Sequence, residues 1–187
     1  MTIERSRENI HFNVLRNALY HTARRMTLDR WNRWCSFLVI VLGAAAMADA
    51  LKIYGVDIQR GWVGAAVAVV GAAQLVFDFG GRARDHQTLQ REYYHLLSNI
   101  EAEAQPSEER VAGWYSQMIR IAGDEPPMMR ALDAKAYNDA IDASGYYDRS
   151  QRLIIPVTHK LLGQFLSFEG VPYDTVAEVE ERKKIAA

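Results

Sequence analysis

Five histidines (His11, His21, His86, His95 and His159) and one cysteine (Cys35) are the side chains best suited to metal ligation or nucleophilic chemistry in this sequence. Their spacing supports neither. No two histidines form the one-turn HExxH pair of a zinc hydrolase, and a single thiol can make neither a CxxC cage nor an intrachain disulfide. Cys35 opens an apolar run and reads as a small packing residue. His86 stands one turn before Leu89 in an apolar stripe and reads as a packed or hydrogen-bonded ring. Glycine-rich phosphate loops and the GxSxG elbow are absent; Gly61, Gly64 and Gly71 lie in or beside an apolar run. The sequence therefore predicts no catalytic residue, no cofactor, no metal and no enzymatic activity.

The informative polar residues are those set in apolar surroundings: Asp49, Gln74 and Asp78. A carboxylate at the centre of a bilayer costs about 2.5–3.5 kcal/mol on insertion scales, and less toward the interface. Asp49 and Gln74 are candidates for lining a water-filled path or a subunit contact, with snorkelling to headgroups as the alternative. Asp78 is a candidate for the same roles, although an ion pair with Arg82 one turn on accounts for it more simply.

These residues need an apolar element around them, and the chain has two. Its 187 residues carry 22 Lys plus Arg and 23 Asp plus Glu, a net charge of -1 that points to no particular partner. The mean hydropathy of -0.19 averages over a sharp segregation. Nearly all strongly apolar sequence lies in two runs, Trp34–Leu51 and Trp62–Phe79. Each is close to the roughly 20 residues a helix needs to cross about 30 Å of hydrocarbon. Neither shows the polar face of a surface helix. Trp31, Trp34 and Trp62, with Tyr54, stand at the ends of the runs, where amphipathic rings sit at headgroup level, and Arg82 and Arg84 follow the second as interface anchors. Small-residue triplets such as Ala46–Ala48 resemble signal-peptide cleavage sites. More than thirty patterned residues precede them and a second run follows, so cleavage is not expected.

Arg24, Arg25, Arg30 and Arg33 precede the first run, and Arg82, Arg84 and Arg91 follow the second. Lys52 and Arg60, offset by Asp57, are the only cations in the connection. This bias places both flanks, and both termini, on the cytoplasmic side of a bacterial inner membrane. It also explains the arginines without nucleic acid, which is not an expected partner.

The fold expected is all-α: a two-helix transmembrane hairpin extended into a cytoplasmic helical stalk, with additional amphipathic helices. Residues 1–104 form the hairpin and its extensions, and 105–187 a cytoplasmic helical region. Phe12, Leu15, Leu19 and Met26, with Ile10, Val14 and Ala18 on the adjoining edge, predict a helix continuous with the first span. Leu89, Tyr93, Leu96 and Ile100 predict an antiparallel partner for it. Gly80-Gly81 marks either a hinge where the second span leaves the bilayer or a stretch of unbroken helix. Ser107 caps the next helix. Pro126 and Pro127 suit the first turn of another, which ends near Ser144-Gly145. A segment from Leu153 to Phe168, starting or kinking at Pro156, predicts a helix that docks on the stalk or a neighbouring subunit, or lies in the interface.

Both runs are dense in small residues, Gly64 and Gly71 among them, which let helix backbones approach closely in lipid. Two spans cannot enclose a conduit, so permeation requires a homo-oligomer.

Arg16-Asn-Ala-Leu-Tyr-His-Thr-Ala-Arg-Arg25, Phe77-Asp-Phe-Gly-Gly-Arg-Ala-Arg84, Asp124-Glu-Pro-Pro127 and Arg130-Ala-Leu-Asp133 lead to a family resemblance. From about Arg7 to Phe168 the chain resembles the SLATT superfamily, the SMODS- and SLOG-associating two-transmembrane effector domain of bacteria and phages. The resemblance implies a pore-forming or membrane-perturbing effector of a conflict system, inactive until a nucleotide signal or partner protein triggers it. It names no catalytic residue. With no sensor domain in these residues, such a trigger acts in trans. The alternative is a non-conducting membrane scaffold that recruits a cytoplasmic partner.

Overall fold

The computed structural model describes residues 6–47 and 60–186. Every regular element among them is helical, apart from one isolated antiparallel bridge between Leu153 and Thr175. Seven α-helices follow in order: α1 (Arg7–Met47), α2 (Arg60–Phe77), α3 (Phe79–Glu101), α4 (Glu108–Gly123), α5 (Arg130–Ser144), α6 (Val157–Leu162) and α7 (Val176–Ala186). A short 3-10 turn, Arg149–Gln151, lies between α5 and α6. The chain forms two compact units that divide at 24/25 and 85/86. The boundary expected at 104/105 falls inside the first of them.

The first unit packs around the start of α1. Ile10, Val14 and Ala18 share a core with Leu89, Tyr93, Leu96 and Ile100 of α3 and with Trp114 and Ile121 of α4. The two stripes run antiparallel: Arg7 donates to the Ile100 and Glu103 carbonyls, both at 3.1 Å, while His21 meets His86 at the opposite end. Arg7 thereby gives a side-chain donor to the Ile100 carbonyl in the last turn of α3 and to the Glu103 carbonyl just beyond it. Phe12, Leu15 and Leu19 face elsewhere, against Tyr137, Ala140 and Ile141 of α5. The apolar surface of α1 is thus broad enough to serve two neighbours.

Local chemistry sets the element ends. Ser107 caps α4 by accepting the Arg110 N–H, and Gly145, at φ +67°, closes α5 in the left-handed conformation. Thr175 and Glu178 form a reciprocal capping box at the start of α7. Pro126 and Pro127 remain in the connection, because α5 starts only at Arg130. The helix expected over 153–168 is confined to Val157–Leu162. Pro156 cannot be preceded by helix, and Leu153 is drawn out as an extended segment by Asn138, whose side chain both donates to and accepts from its backbone. Gly163 then lets the end of α6 lie on α5; a Cβ there would fall 2.9 Å from that of Ala131.

The second unit contains the C-terminal part of α1, α2 and the start of α3. Leu28, Val63 and Ala83 are buried in it, but many of its large apolar side chains face outward: Leu75 is 82% exposed, and Ile40, Trp62, Val69 and Val76 are similarly open. Among the described residues one helical stretch, Trp62–Glu101, which covers most of α2 and all of α3, is long and apolar enough to cross a membrane, with an 18-residue window of mean hydropathy 1.7. Residues 48–51 of the first apolar run lie outside the described residues, as do Asp49 and the connecting loop.

Candidate functional site

In an apolar helix pair, a side-chain amide must find a hydrogen-bond partner or bear the cost of desolvation. Gln74 does so inside the second unit. Its Nε2 donates to Asn32 Oδ1 at 3.1 Å and to Ser36 Oγ at 3.0 Å. Asn32 and Ser36 lie one turn apart on α1, so both present oxygens on the same face. The polar contact links α1 to α2 while the leucine and valine side chains beside it stay outside. Gln74, Gly71, Asp78 and Arg84 line one open cleft of about 650 Å³ with Asn32 and Gly80.

Asp78 terminates α2 and starts α3. It takes a left-handed φ of +39°, which Asp tolerates better than most side chains, and its Oδ1 accepts the Gly81 N–H at 3.0 Å. The carboxylate expected to pair with Arg82 serves this backbone amide as an N-cap. A Cβ on Gly81 would lie 2.0 Å from Asp78 Oδ2, so a larger residue there would displace the Asp78 carboxylate from this position. The hinge expected at Gly80-Gly81 is replaced by an interruption at Asp78, and both glycines are helical.

The remaining sequence candidates are not gathered into this cleft. Gly64 has no heavy atom of another residue near its Cβ position, and Gly71 is equally open on that side. Trp31, Trp34 and Trp62 are exposed, as are Arg82 and Arg84. Asn32 and Ser36 were missed by the sequence reading; their one-turn spacing at the edge of an apolar run is the signal that marks them.

The first unit holds a separate buried polar cluster. His21 and His86 are almost wholly buried, with their Nδ1 atoms 2.8 Å apart. One ring must donate and the other accept, so the contact holds a single proton. The His21 ring stacks on Tyr93, whose hydroxyl donates to Glu125 Oε1. That same oxygen lies 3.2 Å from His21 Nε2, off the line of a straight hydrogen bond. Burial raises the Tyr93 phenol well above its ordinary range, and the adjacent Glu125 adds to the effect. At Glu125 burial opposes ionisation, but the interactions with His21 and Tyr93 outweigh it and hold the carboxyl below its ordinary value.

No family model, curated protein or solved structure matches this chain.

Two of the stretches quoted for the resemblance, that beginning at Arg16 and Arg130–Asp133, meet within the first unit, while Phe77–Arg84 belongs to the second. Arg16 forks onto the buried Asp133, with Nε to Oδ1 at 2.8 Å and Nη2 to Oδ2 at 2.6 Å, and Arg130 adds a longer contact at 3.4 Å. Tyr20 Oη accepts the Met129 N–H at 3.0 Å, and Arg24 donates to Gln164. These bonds fix α5 and the turn after α6 to α1. Among the described residues no group of three or more His, Cys, Asp or Glu side chains could hold a metal ion.

Proposed function

We propose that the chain is an oligomeric membrane effector. On this reading α1 and α2 cross a bacterial inner membrane as a two-span hairpin with both termini cytoplasmic. Several copies assemble through their small-residue faces to form a pore or otherwise perturb the bilayer, and the helices of the first unit control that assembly. The observation that carries the reading is the inverted polarity of the second unit: an apolar helix whose Val69, Leu75 and Val76 face outward, beside an inward-turned Gln74. In water such a surface would aggregate; in lipid it is the solvated face. The arginines on both flanks supply the orientation. The resemblance to two-transmembrane effectors adds the setting of a phage or bacterial conflict system with a trigger acting in trans.

A trigger can shift a closed assembly only by binding one state more tightly than the other, so it acts on the first unit, where α1 makes its specific contacts. The test is release of dye from vesicles containing purified protein. Release that depends on oligomer formation is the expected result. Confirmed oligomers that release nothing with any nucleotide or partner would remove the pore.

The alternative is a non-conducting scaffold. The outward face of α6 and its flanks favours it, since Val157, Leu161 and Phe165 stand exposed on the first unit. A scaffold would show membrane insertion and partner capture without leakage.

A further inference from the structure

Along one face of α1, inside the second unit, runs an open cleft of about 650 Å³ lined by Arg25, Asp29, Arg30, Arg33, Trp34 and Phe37, together with Met26. The positions fall on two adjacent helical rows, 25-29-33-37 and 26-30-34. Chemistry changes along the axis. Three guanidinium groups come first, and the aromatic rings follow toward the apolar end of the helix. From Arg30 to Phe37 the rise is about 10 Å, comparable to the passage from a lipid phosphate to the upper acyl chain. Among the described residues Asp29 is the only acidic one in the lining, beside three arginines. Arg25 Nε is shielded from solvent and has no hydrogen-bond partner, an orphaned donor in a half-buried side chain. Met26, Trp34 and Phe37 are each more than half exposed.

We propose that this face is a binding site for an anionic phospholipid, with the phosphoryl headgroup held by Arg25, Arg30 and Arg33 and an acyl chain laid against Trp34 and Phe37. It rests on the membrane reading above and adds a selective ligand to it. Positive-inside orientation needs only charge on the correct side. It does not need Arg25 and Arg33 on one helical row and Arg30 on the next, beside an aromatic wall. Charge complementarity selects an anion, and the polar-to-apolar gradient selects an amphiphile over free phosphate or a soluble nucleotide. A zwitterionic lipid offers the same chain but carries a cation among the arginines.

The full chain is reconstituted in phosphatidylcholine nanodiscs containing a minority of phosphatidylglycerol, and lipids retained after detergent release are counted by native mass spectrometry. Phosphatidylglycerol is expected to be retained well above its share of the bilayer. Each of Arg25→Gln, Arg30→Gln and Arg33→Gln should reduce that preference by up to about fivefold, while Asp29→Asn should raise it. Should the arginine variants fail to insert, Trp34→Phe provides a second readout: brominated phosphatidylglycerol should quench the parent protein's tryptophan emission more than brominated phosphatidylcholine does, and the excess should vanish in the variant. Retention at the bulk ratio, or equal quenching by the two lipids, would overturn the site. So would displacement of the lipid by inorganic phosphate, or cross-linking that finds a second copy on this face. If the protein floats with pure phosphatidylcholine vesicles and yet shows no preference, the lipid site alone falls; if it floats with no vesicle, the membrane reading falls with it.

Discussion

In the first unit Tyr93, Leu96 and Ile100 are fully enclosed, and the polar surface faces out. In the second, Val69, Leu75 and Val76 stand open while the Gln74 amide is turned in toward Asn32 and Ser36. The two units follow the same rules of helix formation and hydrogen bonding, and differ in which face of the helix is satisfied by its surroundings. In water, apolar burial contributes about 1.5–3 kcal/mol per large side chain, which organises the stripes of α1 and α3. That term is absent between helices in lipid, where small residues and polar bonds must supply the association. On the proposed reading, one chain is therefore built for two solvents.

The contrast can be broken most forcefully in the first unit. Leu96→Ala removes a fully buried side chain and is expected to cost about 2–5 kcal/mol, read as loss of hydrogen-exchange protection over α3. Leu75→Ala, at a residue 82% exposed, should change the stability of detergent-solubilised protein by less than about 0.5 kcal/mol. Equal costs would mean that the second unit has a water-driven core after all.

Charge gives the next largest effect. Leu75→Arg should oppose insertion by about 2.5–3.5 kcal/mol, seen as a reduced membrane-integrated fraction in an insertion assay, whereas an arginine on the exposed face of α7 should have no effect. Gln74→Leu is smaller. It removes the bonds to Asn32 and Ser36 and should weaken contact between α1 and α2 by about 0.6–1.7 kcal/mol, with altered leakage if the oligomer conducts. A scaffold would keep its partner capture unchanged.

The smallest effect is a pH dependence confined to the first unit. Because Glu125 is held below its ordinary value of 4.5, it contributes stability that is fully present above that pH and is lost as pH falls through the lower folded value. Glu125→Gln should flatten this acid limb in a thermal-unfolding series. An unchanged acid limb would place the relevant carboxylate elsewhere.

Much of the fold was legible because it is local. The absence of Gly and Pro through the start of α1 gave one long helix, the Leu89-Tyr93-Leu96-Ile100 spacing gave the buried face of α3, and Ser107 gave a cap. What was missed depends on partners distant in sequence. Phe12 and Leu15 carry the same periodicity as Val14, and nothing local says that they meet α5. Asn138 extends Leu153 and shortens the expected helix, a pairing that no helical or strand periodicity encodes. Of the site candidates, Gln74 was visible as a polar residue in an apolar run, but Asn32 and Ser36 only matter once α1 and α2 are paired. Asp78 was visible as a charge, while its role as an N-cap follows from the turn it makes over Gly81.

On the proposed reading, lipid solvates the exposed face of α2. In a Cys35→Ser background, a nitroxide attached at Leu75→Cys reports its solvent directly through collision with oxygen, which concentrates in hydrocarbon, and with a polar nickel chelate, which does not. High oxygen and low chelate accessibility are expected in native membranes, opposite to a label at Glu180→Cys. A label at Leu75 as open to the chelate as the one at Glu180 would contradict it.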